Sequence, residues 1–219
     1  MALAVLPAAL TTHAAAASTN YLVPQVLPLA SAVSSLRVAE ESRTGYQRGA
    51  YRHWNAGDDP ADACNTRNEV LIGEAVQAPT VKPRCALTGG SWYSYYDGQT
   101  VTNPGALDID HMVPLAEAWD SGASAWTPAH REAYANDQGQ YSSLIAVTAR
   151  SNRSKSDQDP AEWLPPHPEA ICRYTAEWTA TKLRWDLAAD PAEHQTLTQL
   201  AALCQTTTVT YTPALTSDR

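Results

Sequence analysis

The sequence predicts a mixed α+β chain with little sheet, several helices and disulfide staples. Three observations point there. Two apolar runs, LDIDHMV (107–113) and LIAVT (144–148), read as short strands. Three helix starts carry proline beside a capping residue: Thr127-Pro128, Asp159-Pro-Ala-Glu162 and Asp190-Pro-Ala-Glu193. Four cysteines, Cys64, Cys85, Cys172 and Cys204, form no C-x-x-C pair, which argues against a zinc knuckle and for two disulfides.

Reading along the chain, no charged residue precedes Arg37. MALAVLPAAL is apolar, is broken by Thr11, Thr12 and His13 before it could span a membrane, and is followed by an A-x-A cleavage site, Ala15 to Ala17. Residues 1–17 are therefore expected to be a secretory signal peptide, although the basic n-region is missing. Residues 18–28 follow as a flexible lead, 29–205 as a single domain, and 206–219 as a tail or edge strand. In an exported chain four cysteines allow three connectivities. Cys64–Cys85 and Cys172–Cys204 are favoured because each closes a local loop. Leu29, Val33, Leu36 and Val38 have loosely helical spacing, NEVLIGEAV (68–76) is a short apolar element, and the Gly/Tyr/Trp-rich stretch 88–106 reads as a loop or hairpin. Ile171, Tyr174, Trp178 and Trp185 share one helix face and should be core, and Leu197, Leu200 and Leu203 mark a last helix.

Composition limits function. With 44% hydrophobic residues over 219 positions, the chain can bury a core, and with no Phe its seven Trp and ten Tyr must fill it. Fifteen Lys+Arg against 23 Asp+Glu give a net charge of −8, which excludes coating nucleic acid by bulk charge but not gripping one phosphate locally.

The chemistry concentrates between Asp108 and Asp159. Asp110-His111 lies on the first predicted strand, Asn136 follows 25 residues later, and Asn152 sits in SNRSKSD after the second strand. Hydrolysing a phosphodiester needs a base for water, a cation against the developing charge, and help for the leaving oxygen. Histidine is the natural base, and Asp and Asn oxygens are hard ligands suited to Mg²⁺. Strict alternation, however, puts Asp110 and His111 on opposite faces of a strand, so both reach one site only at a strand end or bulge, and Pro114 favours a strand end.

D-H-x-V-P at 110–114 and N-R-x-K-S-D at 152–157, with Asn136 between, resemble the HNH endonuclease motif of the ββα-metal fold. The match is closest to secreted actinobacterial HNH-family proteins related to the C-terminal domain of GmrSD-type restriction enzymes, and the same strings resemble the HNH domain of CRISPR effectors. The core, 106–160, is the most specific part. Looser likeness reaches CNTRNEVL (64–71), GGSWYSYYDG (89–98), DPAEWLPP (159–166) and the last Cys-containing helices. The resemblance implies His111 as general base, Asp110 and Asn152 as metal ligands, Asn136 as the residue that orients the loop through backbone bonds, and Lys155 and Arg153 as phosphate contacts. It implies Mg²⁺ or Mn²⁺, a nucleic acid substrate (DNA, with RNA open) cut with little sequence preference, and an extracellular monomer. The zinc-binding Cys pairs of many HNH domains are missing, and the disulfides would replace them. Beside this stand simpler readings: Asn136 as a helix end, Asp108 as a solvated carboxylate, Asp159 and Glu162 as helix caps, and Tyr51, His53, Trp54 and Arg67 as packing. A non-catalytic extracellular module is the other functional reading, with the aromatic loop 89–98 holding glycan or cell wall.

Overall fold

The structure, a computed structural model, describes residues 23–214; the expected signal peptide lies outside the described residues. The chain runs through β1 (Gln25–Pro28), α1 (Leu29–Ser34), α2 (Thr66–Gly73), β2 (Thr80–Lys82), β3 (Ala86–Thr88), β4 (Trp92–Ser94), β5 (Gln99–Val101), β6 (Leu107–His111), α3 (Leu115–Asp120), α4 (Pro128–Ala135), β7 (Leu144–Thr148), α5 (Ala149–Lys155), α6 (Ile171–Trp185), α7 (Pro191–Leu203) and β8 (Thr208–Tyr211). The strands form two-stranded antiparallel pairs: β1–β8, β2–β3, β4–β5 and β6–β7.

Local chemistry explains most boundaries. Thr127 accepts from the His130 amide to start α4, Thr148 caps α5 through the Ser151 amide, and Asp190 caps α7 through the amides of Ala192 and Glu193. Three expectations are corrected. Asp159 closes a turn by accepting from Ala161 and Glu162, with no helix after it, because Pro165 and Pro166 follow at once. The helix from Leu29 stops at Ser34: the hydroxyls of Ser34 and Ser35 bond the carbonyls of Ala30 and Ala32, competing with continuation. The lead is not flexible throughout, since Gln25–Pro28 is a strand paired with Thr208–Tyr211 of the expected tail.

The main core gathers α1, α3, α4, α6 and α7 around Tyr96, Met112, Tyr174 and Trp178, all fully buried. A smaller cluster packs α2 against the β6–β7 pair through Val70, Leu71, Trp92, Leu107, Ile109 and Leu144. The β6–β7 pair is thus covered on both faces, and its register sets Asp110 opposite Ile145 and His111 opposite Leu144. Disulfides join Cys64 to Cys85 and Cys172 to Cys204, the local pairing favoured among the three possible. The aromatic stretch 89–98 buries Trp92, Tyr95 and Tyr96 and leaves Tyr93 half exposed, so it is mostly core rather than a sugar-stacking platform. Among the described residues no helix is long and apolar enough to cross a membrane.

Lys182 is the main buried charge of the helical core. Its Nζ meets Glu117 at 2.7 Å, Glu193 at 2.5 Å, Ser121 Oγ at 2.9 Å and the Ala188 carbonyl at 2.8 Å. Glu41 completes an acidic group with Glu117 and Glu193. Burial and the neighbouring Glu117 push the Glu41 carboxyl up to about 9. The ammonium already sits among these carboxylates, so the group is an ion-pair core rather than a cation site.

Candidate active site

The β6–β7–α5 unit brings the chemically active side chains together. His111 is the last residue of β6, and chain direction changes at Pro114, which precedes α3. Asp110 and His111 therefore escape strict alternation: both line one cavity of about 430 Å³, with Asn152 and Arg153 from α5 and Tyr46 and Arg48 from the loop after α1.

His111 is held from several sides. Its Nε2 lies 2.9 Å from the Ala135 carbonyl. A carbonyl only accepts, so Nε2 carries the proton and Nδ1 is left as the lone-pair nitrogen. Trp54 stacks on the ring with centroids 5.4 Å apart and planes at 27°, and Tyr134 lies beyond at 6.4 Å and 22°. Trp54 adopts φ 61°, a left-handed conformation unusual for a bulky residue, in the segment that brings its indole onto His111. Burial, with the nearby His53 and Arg48, draws the His111 pKa down to about 3, against the pull of the Ala135 carbonyl. The imidazole is thus neutral at physiological pH, the state a proton acceptor needs.

Asn136 ends α4 and also ties three segments together. Its amide nitrogen donates to the carbonyls of Arg52 (2.7 Å) and Glu132 (2.8 Å), and its oxygen accepts from the Asn55 amide and the Thr66 hydroxyl, each at 3.0 Å. These bonds flank Trp54 on one side and Ala135 on the other, two of the groups that touch His111. His53 is turned to the backbone, its Nδ1 on the Tyr51 carbonyl at 3.0 Å. Arg67 bonds the carbonyls of Pro104 and Leu107 at the start of β6.

Asp110 is buried, and its Oδ2 accepts from Lys155 Nζ and from Tyr96 Oη, each at 2.6 Å. Burial pushes the carboxyl up and the ammonium down, while each is steadied by its attraction to the other. Lys155 also donates to the carbonyls of His111 (3.0 Å) and Met112 (2.9 Å), so all three of its protons are engaged and it is completely enclosed. The sequence expectation of a Lys155–phosphate contact is corrected: the lysine lies under the site and clamps Asp110 and the backbone at the end of β6. Arg153, by contrast, is 76% exposed at the cavity and lies 3.5 Å from Asp108. Asn152 Nδ2 donates to Asp108 Oδ2 at 3.3 Å. A carboxylate accepts only, so this bond assigns the amide nitrogen to Asp108 and leaves the Asn152 oxygen as a hard ligand atom.

The residues that sequence reasoning missed are Tyr46 and Arg48, which join the cavity from a loop without periodicity or motif. Tyr96 lies within GGSWYSYYDG (89–98), where nothing in the local pattern signals that its hydroxyl reaches Asp110.

The chain matches the family described as GmrSD restriction endonucleases, C-terminal domain, over residues 72–200. It is also 39% identical over 183 residues to an "Uncharacterized secreted protein" of Arthroderma benhamiae, covering 83% of this chain and 87% of that protein. That relative is fungal. No solved structure matches. The family match takes in β6, β7 and α5 and covers more than half of the chain, and on that basis the chain belongs to the family of the GmrSD restriction endonuclease C-terminal domain.

Proposed function

We propose that this protein is an exported, metal-dependent HNH-type endonuclease whose β6–β7–α5 unit is a ββα-metal core. It hydrolyses phosphodiester bonds in nucleic acid, DNA first, with little sequence preference. The observation that carries this reading is the fixed His111 tautomer: Nε2 is bonded to the Ala135 carbonyl, in a cavity shared with Asp110 and Asn152. Family membership supports nuclease chemistry, and the relative named as secreted supports export.

Neutral His111 accepts a proton from the attacking water at Nδ1, and its stacking on Trp54 keeps the ring in one orientation. Asp110 and Asn152 would hold a divalent cation, Mg²⁺ or Mn²⁺, and their oxygen donors fit such an ion. When bound, that cation supplies positive charge to the phosphoryl oxygens. Lys155 and Tyr96 keep Asp110 in place, and Asn136 keeps the Ala135 carbonyl in place. Arg153 and Arg48 bring positive charge to the cavity for the phosphate. At net charge −8, binding is weak and falls with salt.

The test is plasmid nicking by the oxidised protein with Mg²⁺, Mn²⁺ or EDTA, with His111→Ala alongside. Cleavage that needs the ion and disappears in His111→Ala is expected. Cleavage retained in His111→Ala but lost in Asp110→Ala would remove the base assignment, and no cleavage with either ion by folded protein would remove the nuclease reading.

A further inference from the structure

A second cavity, of about 810 Å³, also borders α5. At about 100° per residue, Asn152 and Ser156 face the first cavity and Ser151 and Ser154 face nearly the opposite way, toward the second, while Arg153 lines the first and Arg150 the second from positions about 60° apart on the helix. Arg150 and Arg153 are one turn apart, and side chains at that spacing have Cβ atoms roughly 5–6 Å apart. The far wall is built by Gln99 and Thr100 of β5 and by Trp163 and His167.

This wall is tied down. The His167 amide bonds the Tyr96 carbonyl at 3.0 Å, and Trp163 Nε1 bonds Ser154 Oγ at 3.2 Å. Trp163 packs edge-on or tilted against Tyr96 and Tyr174, with centroids 5.3 and 5.7 Å away. Asp97 is the one carboxylate among the lining residues, and its Oδ2 already accepts from the hydroxyls of Thr148 and Ser151. What remains on offer is an exposed guanidinium, an indole, an amide and hydroxyls. His167 lies 3.6 Å from Glu169, so its charge, when protonated, is shared. A cation beside an aromatic ring, with neutral hydrogen-bonding groups around them, suits a ligand that is anionic and carries a flat ring. The volume falls within the range of small-molecule sites, about 300–1,000 Å³.

We propose that this second cavity binds a nucleotide of the substrate strand next to the cleaved bond. Arg150 meets its phosphate, Trp163 its base, and Gln99 and Thr100 its polar edge. The inference rests on the nuclease reading and deepens it: the enzyme holds its strand on both sides of α5. One strand of a duplex carries a phosphate for each ~3.4 Å of axis, so a single helical turn spans one to two nucleotides.

The test compares wild type with Arg150→Gln and Thr100→Val, both surface changes. Fluorescein-labelled oligothymidylate, followed by anisotropy in EDTA over a salt series, reads binding without cleavage. Arg150→Gln is expected to weaken binding about tenfold, the scale of one lost charge-assisted contact, and to reduce the log–log salt slope by about 0.7. In Mg²⁺, its loss of kcat/KM on an oligonucleotide is expected to exceed its loss on bis(p-nitrophenyl) phosphate, which has no flanking nucleotide. An unaltered Kd and slope in both variants would overturn the proposal, as would equal losses on the two substrates, or displacement of the oligonucleotide by neutral oligosaccharide but not by mononucleotide. Wild type that binds in an Arg150-dependent way yet cuts neither substrate would sink the nuclease reading and leave the nucleotide cavity standing. Wild type that cuts both, with Arg150→Gln its equal, would sink the cavity alone.

Discussion

Asn136 is joined to His111 through the backbone of its neighbour: the Ala135 carbonyl accepts from His111 Nε2, while the Asn136 side chain fixes the end of α4 and the segment that carries Trp54. A residue that does not touch the imidazole thereby sets both its tautomer and its stacking partner. Asn136→Ala leaves two carbonyls, an amide and a hydroxyl without this partner, and on the order of 2 kcal/mol of stability should be lost. Cleavage measured where the variant is still folded should fall further, by about 100-fold, because small misplacements of a base are costly. Denaturant melts beside nicking rates check it; equal activity in the folded variant would remove the positioning role.

The neutral His111 makes metal-free stability depend on pH. Its folded pKa, about 3, lies below the ordinary 6.5, so the unfolded chain takes up a proton that the native protein refuses. The contribution is fully present above about pH 6.5 and is lost as pH falls toward 3, with a slope of up to about 1.4 kcal/mol per pH unit. His111→Gln should flatten that limb in urea titrations between pH 4 and 7 in EDTA. An unchanged slope would mean that the imidazole is not buried in its neutral form.

The Asp110–Lys155–Tyr96 cluster should respond asymmetrically. In EDTA, Lys155→Met removes the ammonium that pairs with the buried Asp110 carboxylate and should cost about 3–5 kcal/mol. Tyr96→Phe removes one hydrogen bond to a charged group and should cost about 1.5–3 kcal/mol. If Lys155 reached substrate instead, Lys155→Met would fold like wild type and bind DNA with a shallower salt dependence.

The Glu41 carboxyl gives stability an alkaline limb. Because its pKa is raised to about 9 from the ordinary 4.5, the native protein keeps a proton there that the unfolded chain loses. This contribution is fully present below about pH 4.5, is lost progressively as pH rises, and is gone above about pH 9. The melting temperature should drop between about pH 5 and 9, and Glu41→Gln, which keeps a donor beside Glu117, should drop less. A parallel fall in both proteins would locate the effect elsewhere in the Lys182 cluster.

Each disulfide closes a short loop, with sequence separations of 21 and 32. Loop closure of this size is worth about 3–4 kcal/mol per bridge. Paired Cys→Ser changes at Cys172 and Cys204 should lower stability by that amount, and full stability under reducing conditions would refute it.

What the sequence determined by itself is what depends on near neighbours. Thr127, Thr148 and Asp190 cap helices because the amides they satisfy lie two or three residues on. The β6 and β7 runs are legible because the first alternates apolar and polar residues and the second is almost continuously apolar, and the local cysteine pairs because short loops close most readily. The D-H and N-R-x-K-S-D strings named Asp110, His111 and Asn152 as the residues to watch. Tertiary structure decided which atoms these residues present. Asp159 has a cap's sequence but no helix to cap, and β1 exists only because β8, some 180 residues away, pairs with it. Lys155 turned inward because Asp110 and two carbonyls at the end of β6 together satisfy every proton it carries. Arg48 reached the cavity, and Trp54 the His111 ring, from loops without periodicity. Hydrogen-bond satisfaction and burial depend on groups far apart in the chain, and spacing along a sequence does not encode them.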